Sequence, residues 1–225
     1  MVSDKAPEIN KEDVEILYES KYANLYKLHY GTEGKFYYDA SRRKKDDLAV
    51  VKHGEDFKNM IPDAVSCFVI LKEKDEPVLL LSREFRYVTG QFITGVPAGL
   101  IDEEDKDAEQ PVLLAAKREL FEETGIEPDE AKGDVLKVIN PLVFSTPGFT
   151  DESNALVCAV IDTEGRELKL TQEGAVGKEI FSGFVMVNKD EAMKMLKEGM
   201  DDRGVYYSVY TWMSLMYFVS GMWNE

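Results

Sequence analysis

The run Arg118-Glu119-Leu120-Phe121-Glu122-Glu123-Thr124-Gly125-Ile126 constrains this chain more than any other stretch. Pro111 near its start and Gly125 just past its end are the usual punctuation of a helix. Between them Val112, Leu113, Leu114, Ala115, Ala116 and Leu120 supply helix formers and an apolar stripe, which predicts a helix over 109–124. On it Glu119, Glu122 and Glu123 are spaced i, i+3, i+4 and share one face, and Arg118 stands four residues before Glu122, close enough to pair with it. Like charges at that spacing oppose a helix by about 0.2–0.5 kcal/mol per pair. Two readings account for them. One is a solvated acidic face on an acidic protein. The other is an oxygen-ligand site for a hard divalent cation, to which Mg²⁺ is suited when a substrate phosphate completes its shell.

The rest of the chain bounds what such a site could serve. With 225 residues, 44% of them hydrophobic and 11% aromatic, it can build one sizeable domain, or a domain with an extension. A formal charge of −16 excludes sequence-independent nucleic-acid binding, because the phosphate backbone would be repelled. Phosphates must then be handled through metal ions and a few local arginines. Cys67 and Cys158 sit in apolar, strand-like runs and read as core residues of a reduced compartment. The first fifteen residues are charged and lack an apolar segment, so no signal peptide and a cytoplasmic location are expected. The run from Val205 to Asn224 carries no charge and is about as long as a membrane is thick. Its Tyr, Ser, Thr and Met content and lack of basic flanks mark it as a C-terminal core or dimer helix, with no membrane partner expected.

In chain order, Ile16 to Tyr30 reads as strand, Gly31 to Gly34 as a turn, and Lys35 to Arg43 as a second strand. The basic patch Arg42 to Lys45, next to Tyr37 and Tyr38, is either a solvated edge strand or a surface whose tyrosines stack on a base while arginines meet phosphate. Gly54 to Pro62 reads as a loop. Ala64 to Lys72, Pro77 to Phe85 and Phe92 to Pro97 are strands before the helix. Val135 to Phe144 and Ala155 to Ile161 are strands flanking a Gly/Pro loop of the kind that builds sites. Thr163 to Lys178 is polar, ending in a flexible loop. A strand follows at Ile180 to Val187, then a short helix at Asp190 to Lys197, and a last helix follows Asp201. The expected class is α/β, a mixed sheet flanked by helices, with a β-rich N-terminal arm over 1–60 and the main domain over 61–225.

Arg118-Glu119-Leu120, Glu122-Glu123 and Gly125-Ile126 match the second half of the Nudix box, G-x5-E-x7-R-E-U-x-E-E-x-G-U, in which U is aliphatic, and Gly99 matches its first glycine. In this respect the chain resembles the Nudix hydrolases. The box places thirteen residues between its glycine and arginine, whereas eighteen separate Gly99 from Arg118, five more. The box's first glutamate, which supports the arginine in that family, falls on Asp105 counted from Gly99 and on Gln110 counted back from Arg118, while Glu104 and Glu109 each miss by one. Phe85-Arg86 with Pro97-Ala98-Gly99, and the Pro147-Gly148-Phe149 and Asp151-Glu152 loop, resemble the ADP-ribose pyrophosphatase branch, whose members carry Q-[FY]-R and E-[FLIV]-P-A-G. Gly95 stands where those relatives often have glutamate.

The resemblance implies a Nudix α/β/α sandwich. It also implies Mg²⁺, or Mn²⁺ in its place, held by Glu119, Glu122, Glu123 and the Ala98 carbonyl. The substrate would be a nucleoside diphosphate linked to X, foremost ADP-ribose, cleaved to AMP and ribose 5-phosphate. Arg86 would clamp a phosphate or the distal sugar. A loop glutamate, Glu179 ahead of Glu173, with Glu152 third, would act as base. Tyr37 or Tyr38, Arg42 or Arg43, and Phe149 would meet the nucleotide, and the arm would form a homodimer. The alternatives are another nucleotide sugar or dinucleotide as substrate, and a Nudix domain that only binds nucleotide.

Overall fold

The N-terminal aromatics build a three-stranded antiparallel sheet of β1 (Val14–Tyr18), β2 (Asn24–His29) and β3 (Phe36–Ser41), in the order β1-β2-β3. The single strand expected over Ile16 to Tyr30 is therefore a hairpin. Its turn is held by Ser20, whose hydroxyl accepts from the Ala23 amide at 3.0 Å. One face of this sheet, carrying Val14, Tyr26 and Leu28, closes over Leu48 in a small core. The computed structural model describes residues 6–31, 34–72, 76–172, 174 and 179–225. The chain divides into two units, residues 1–63 with 142–154 and residues 64–141 with 155–225. A one-turn helix, α1 (Glu55–Lys58), interrupts the expected loop before Pro62.

The second unit is organised on β4 (Ala64–Lys72), buried from Ala64 to Leu71. β5 (Val78–Arg86) runs antiparallel to its C-terminal half, and β7 (Ala98–Leu100) to its N-terminal half. β6 (Gln91–Gly95) pairs with β5. With β8 (Val135–Phe144), β9 (Ser153–Asp162) and β10 (Phe181–Val187) the sheet has the order β10-β5-β4-β9-β8. Among the described residues the α-helices are α1, α2 (Glu103–Lys106), α3 (Pro111–Thr124), α4 (Lys189–Glu198) and α5 (Val209–Ser220).

A strand buried at consecutive residues needs cover on both faces, and adjacent residues of β4 show what supplies it. Cys67 lies against the Ala116 carbonyl of α3, while the Phe68 ring meets the Tyr217 ring of α5 at 5.9 Å. Successive side chains of a strand point to opposite faces, so α3 covers one face and α5 the other. This is the α/β/α layering that the sequence led one to expect. Both cysteines are free and buried.

The last helix, expected after Asp201, begins at Val209. Asp201 does not enter a helix, because its carboxylate accepts from the amides of Arg203 and Val205 and so closes a turn. Ser208 then caps α5, accepting from Thr211 N–H. At twelve residues α5 covers only part of the uncharged C-terminal run, and among the described residues no helix is long and apolar enough to cross a membrane.

Candidate active site

Helix α3 has Pro111 in its first turn, and Gly125, at φ 73°, donates its N–H to the Phe121 carbonyl. The left-handed cap stops the helix directly after the acidic turn. Its buried residues are Ala115, Ala116, Glu119, Leu120, Glu123 and Thr124, with Glu119 only 7% and Glu123 2% exposed. Two of the three glutamates thus face the sheet and not water, which rules out the solvated acidic face. Glu122, at the edge, keeps about a quarter of its side chain exposed.

Burying carboxylates together is unfavourable, and it pushes these groups toward their neutral form. Burial, with the nearby charges of Glu119, Glu84 and Glu179, pushes Glu123 up to about 9, while the Ala98 N–H bonds it and pulls the other way. Burial pushes Glu119 up to about 7 against the pull of Arg118. Gly99 makes room for this arrangement. A Cβ there would fall onto the Glu119 carboxyl group.

Arg118 holds the turn together. Its guanidinium reaches Glu119 at 2.6 Å, the Leu100 carbonyl at 2.8 Å, Asp105 at 3.2 Å and Glu122 at 3.5 Å. The ambiguity over the box's first acid is thereby settled. Asp105, buried on α2 and also accepting from the Asp102 N–H, is the carboxylate that supports the arginine, and Glu104, Glu109 and Gln110 are exposed. The five extra residues follow Asp105 and loop out before Pro111.

A further carboxylate, not singled out in the sequence reading, comes from β5. Glu84 has 13% of its side chain exposed and pairs with Arg86 at 2.6 Å. Burial raises its pKa, opposed by Arg86 and reinforced by Glu179. The only sequence signal is the alternation Leu80, Ser82, Glu84, Arg86, an apolar strand turning polar on one face. Glu179, just before β10, is exposed and acts electrostatically on Glu84, Glu119 and Glu123. Glu173 lies outside the described residues. Its neighbour Gly174 is packed so closely on α3 that a Cβ would come within 2.8 Å of the Glu122 carbonyl.

Arg86 pairs with Glu84, and Arg118 with Glu119, Glu122, Asp102 and Asp105, while Glu123 and Glu179 add their charges to the same group without an ion pair among the described residues. Among the described residues no Lys or Arg pairs with Glu123, and no three acidic, His or Cys side chains are already gathered as a cation cage. Arg118 draws Glu119 and Glu122 toward itself, and the like charges otherwise repel. The donor set nonetheless fits a hard divalent cation, which would offset the excess negative charge and bring these oxygens together.

The residues expected to meet the nucleotide lie in the first unit. Tyr37 and Tyr38 point to opposite faces of β3. The Tyr37 hydroxyl donates to the Gly148 carbonyl at 3.1 Å, and the Phe149 carbonyl accepts from Ala40 N–H, so Tyr37 and the exposed Phe149 are neighbours. Tyr38 instead packs edge-on to Phe36. Arg43 is committed elsewhere: it grips Asp63 at 2.9 and 3.1 Å, donates to Ser153 and the Ile61 carbonyl, and is 9% exposed. Asp151 joins this cluster, accepting from Ser41 and from Ala49 N–H. Arg42 remains half exposed, with Glu152 at 3.9 Å.

The geometry agrees with comparisons to known proteins. An ADP-ribose pyrophosphatase of Saccharomyces cerevisiae is 32% identical over 142 residues, 61% of this chain and 57% of that protein. An uncharacterized Nudix hydrolase of Schizosaccharomyces pombe is 30% identical over 122 residues, 54% of each. The chain thus spans little more than half the length of these relatives. A solved structure of an ADP compounds hydrolase shares the fold with a TM-score of 0.57 at 19% identity, covering 99% of this chain and 98% of that one. The model of the NUDIX domain matches residues 60–207, from just before β4 to just before α5 and including all of α3, and the chain belongs to that family.

Proposed function

We propose that the protein hydrolyses the diphosphate bond of a nucleoside diphosphate linked to X, with ADP-ribose as substrate and AMP and ribose 5-phosphate as products. The observation that carries this reading is the burial of Glu119 and Glu123 against Ala98 and Gly99, with too few cations to balance them. The yeast relative described as an ADP-ribose pyrophosphatase supports the choice of substrate. Nudix hydrolases generally use divalent metal ions, and here Mg²⁺, replaceable by Mn²⁺, would be held by Glu119, Glu122, Glu123 and the Ala98 carbonyl. Bound there, it supplies positive charge to the diphosphate oxygens and acidifies water.

The chain's own groups do the rest. Arg86, half exposed beside Glu84, orients a phosphate. Glu179 accepts the proton of the attacking water as the new O–P bond forms and the bridging P–O bond breaks. Tyr37 with Phe149 presents the aromatic surface for the base, and Arg42 is the cation available to a phosphate, since Arg43 is engaged within its own unit. The exposed aromatics Phe36 and Tyr38 of the N-terminal sheet support a homodimer through the arm. The test is AMP release from ADP-ribose with Mg²⁺, by wild type and by Glu123→Gln. Turnover abolished in a folded variant supports the reading. Failure of wild-type protein to turn over any nucleoside diphosphate sugar with Mg²⁺ or Mn²⁺ rejects it.

A further inference from the structure

We propose that Glu84 is a ligand of the divalent cation held by α3, supplied from β5 on the sheet face where Gly95 of β6 offers no side chain. The inference rests on the cation site described above and adds a residue to it.

Strand register carries the argument. Cys67 touches α3, so Val69, two residues on, faces the same helix. Val69 is opposite Leu80 on β5, and Ser82, Glu84 and Arg86 continue that row. Ser82 is in turn opposite Gly95, and Glu84 opposite Ile93. Glu84 and position 95 therefore share the α3 face. Thr94, between Ile93 and Gly95, points to the other face, where its buried hydroxyl donates to Asp201 at 2.7 Å. β7 obeys the same rule: Val65, on the α3 side of β4, is opposite Gly99, on which Glu119 rests.

Gly95 is bare, and a Cβ built there meets nothing within 4 Å. Gly95 stands where the branch that this stretch resembles often has glutamate, and Glu84 stands where its Q-[FY]-R pattern has glutamine. In this chain Glu84 presents a carboxylate on the same face as position 95, one strand away. Glu84 is largely buried, and its one ion-pair partner among the described residues, Arg86, reaches it with a half-exposed side chain. Its charge also acts on Glu123, which is 2% exposed and has no cation of its own among the described residues. A cation between Glu84 and Glu123 would satisfy both.

The experiment is Mn²⁺ binding to the full chain without nucleotide, followed by the EPR signal of the free ion. The variants are Glu84→Gln, Glu84→Asp and the double variant Glu84→Gln/Gly95→Glu. Removing one ligand is expected to weaken Mn²⁺ at least about tenfold. The shorter aspartate should fall between, and the double variant should recover most of the loss. Near-wild-type binding by folded Glu84→Gln would overturn the inference while leaving the α3 site intact. No Mn²⁺ binding by wild type would overturn both. If Glu84→Gln does not fold, Glu84→Asp decides on the same titration, unchanged affinity again counting against a ligand role.

Discussion

A methyl group on Gly99 would occupy the space of the Glu119 carboxyl group. Helix and strand can approach this closely only because β7 has no side chain there, and the approach is what carries a carboxylate into the sheet–helix interface. Gly99→Ala should therefore leave the backbone conformation allowed but expel Glu119. A displacement of about 1 Å at a reacting centre costs roughly 100-fold in rate, so turnover of ADP-ribose should fall by about that factor. The check is kcat and Mg²⁺ dependence, beside a melting curve showing that the variant folds.

Asp105 and the loop after it make separable predictions. Asp105→Ala removes the carboxylate that steadies Arg118 and should cost about 1–3 kcal/mol, with a matching loss of activity. Deleting residues 106–110, mostly exposed, restores the family's spacing while keeping the anchor. Activity of the deletion variant is expected within a few-fold of wild type. A deletion as damaging as Asp105→Ala would show that the loop has a role of its own.

Arg43 should behave as a structural residue. Its removal leaves Asp63, with Asp151 and Asp39 nearby, without their shared cation. Breaking a buried pair in this way costs about 3–5 kcal/mol. Chemical denaturation of Arg43→Ala should show a loss of that order, whereas Arg42→Ala, half exposed, should unfold like wild type.

Asp39 gives a pH signature. Burial, with the charge of Asp151, raises it from 3.8 to about 7. A carboxyl with a raised folded-state pKa favours the native state below its unfolded value, and that contribution is lost as pH rises through the folded value. Asp39→Asn, which keeps an acceptor for the Asp151 N–H, should therefore raise the melting temperature at pH 8 and leave it nearly unchanged at pH 4. Equal effects at both values would show that Asp39 does not titrate in this range.

Divalent cation should stabilise the folded chain. A ligand bound only to the native state contributes about 2.7 kcal/mol at a hundred times its dissociation constant. That corresponds to roughly 5–10 °C for a chain of this size. The shift should be lost in Glu119→Gln/Glu123→Gln, and chelation should reverse it in wild type.

Sequence alone determined the parts of this protein that depend on neighbours along the chain. Pro111, Gly125 and the i, i+3, i+4 glutamates define α3 and its acidic turn, because a helix brings together residues three and four apart whatever surrounds it. The strands of the main sheet, β7 excepted, were legible for the same reason, as short apolar runs between turns. Tertiary structure decided what depends on strand pairing. Only folding turned Glu119 and Glu123 inward, chose Asp105 over Gln110 as the partner of Arg118, and engaged Arg43 with Asp63. It also set Glu84 beside Gly95 on the face of α3, through the register of β4, β5 and β6. Those relations join residues 11 to 20 positions apart, such as Glu84 with Gly95 and Arg43 with Asp63. No local periodicity encodes them, because register is set by which apolar faces must be buried together.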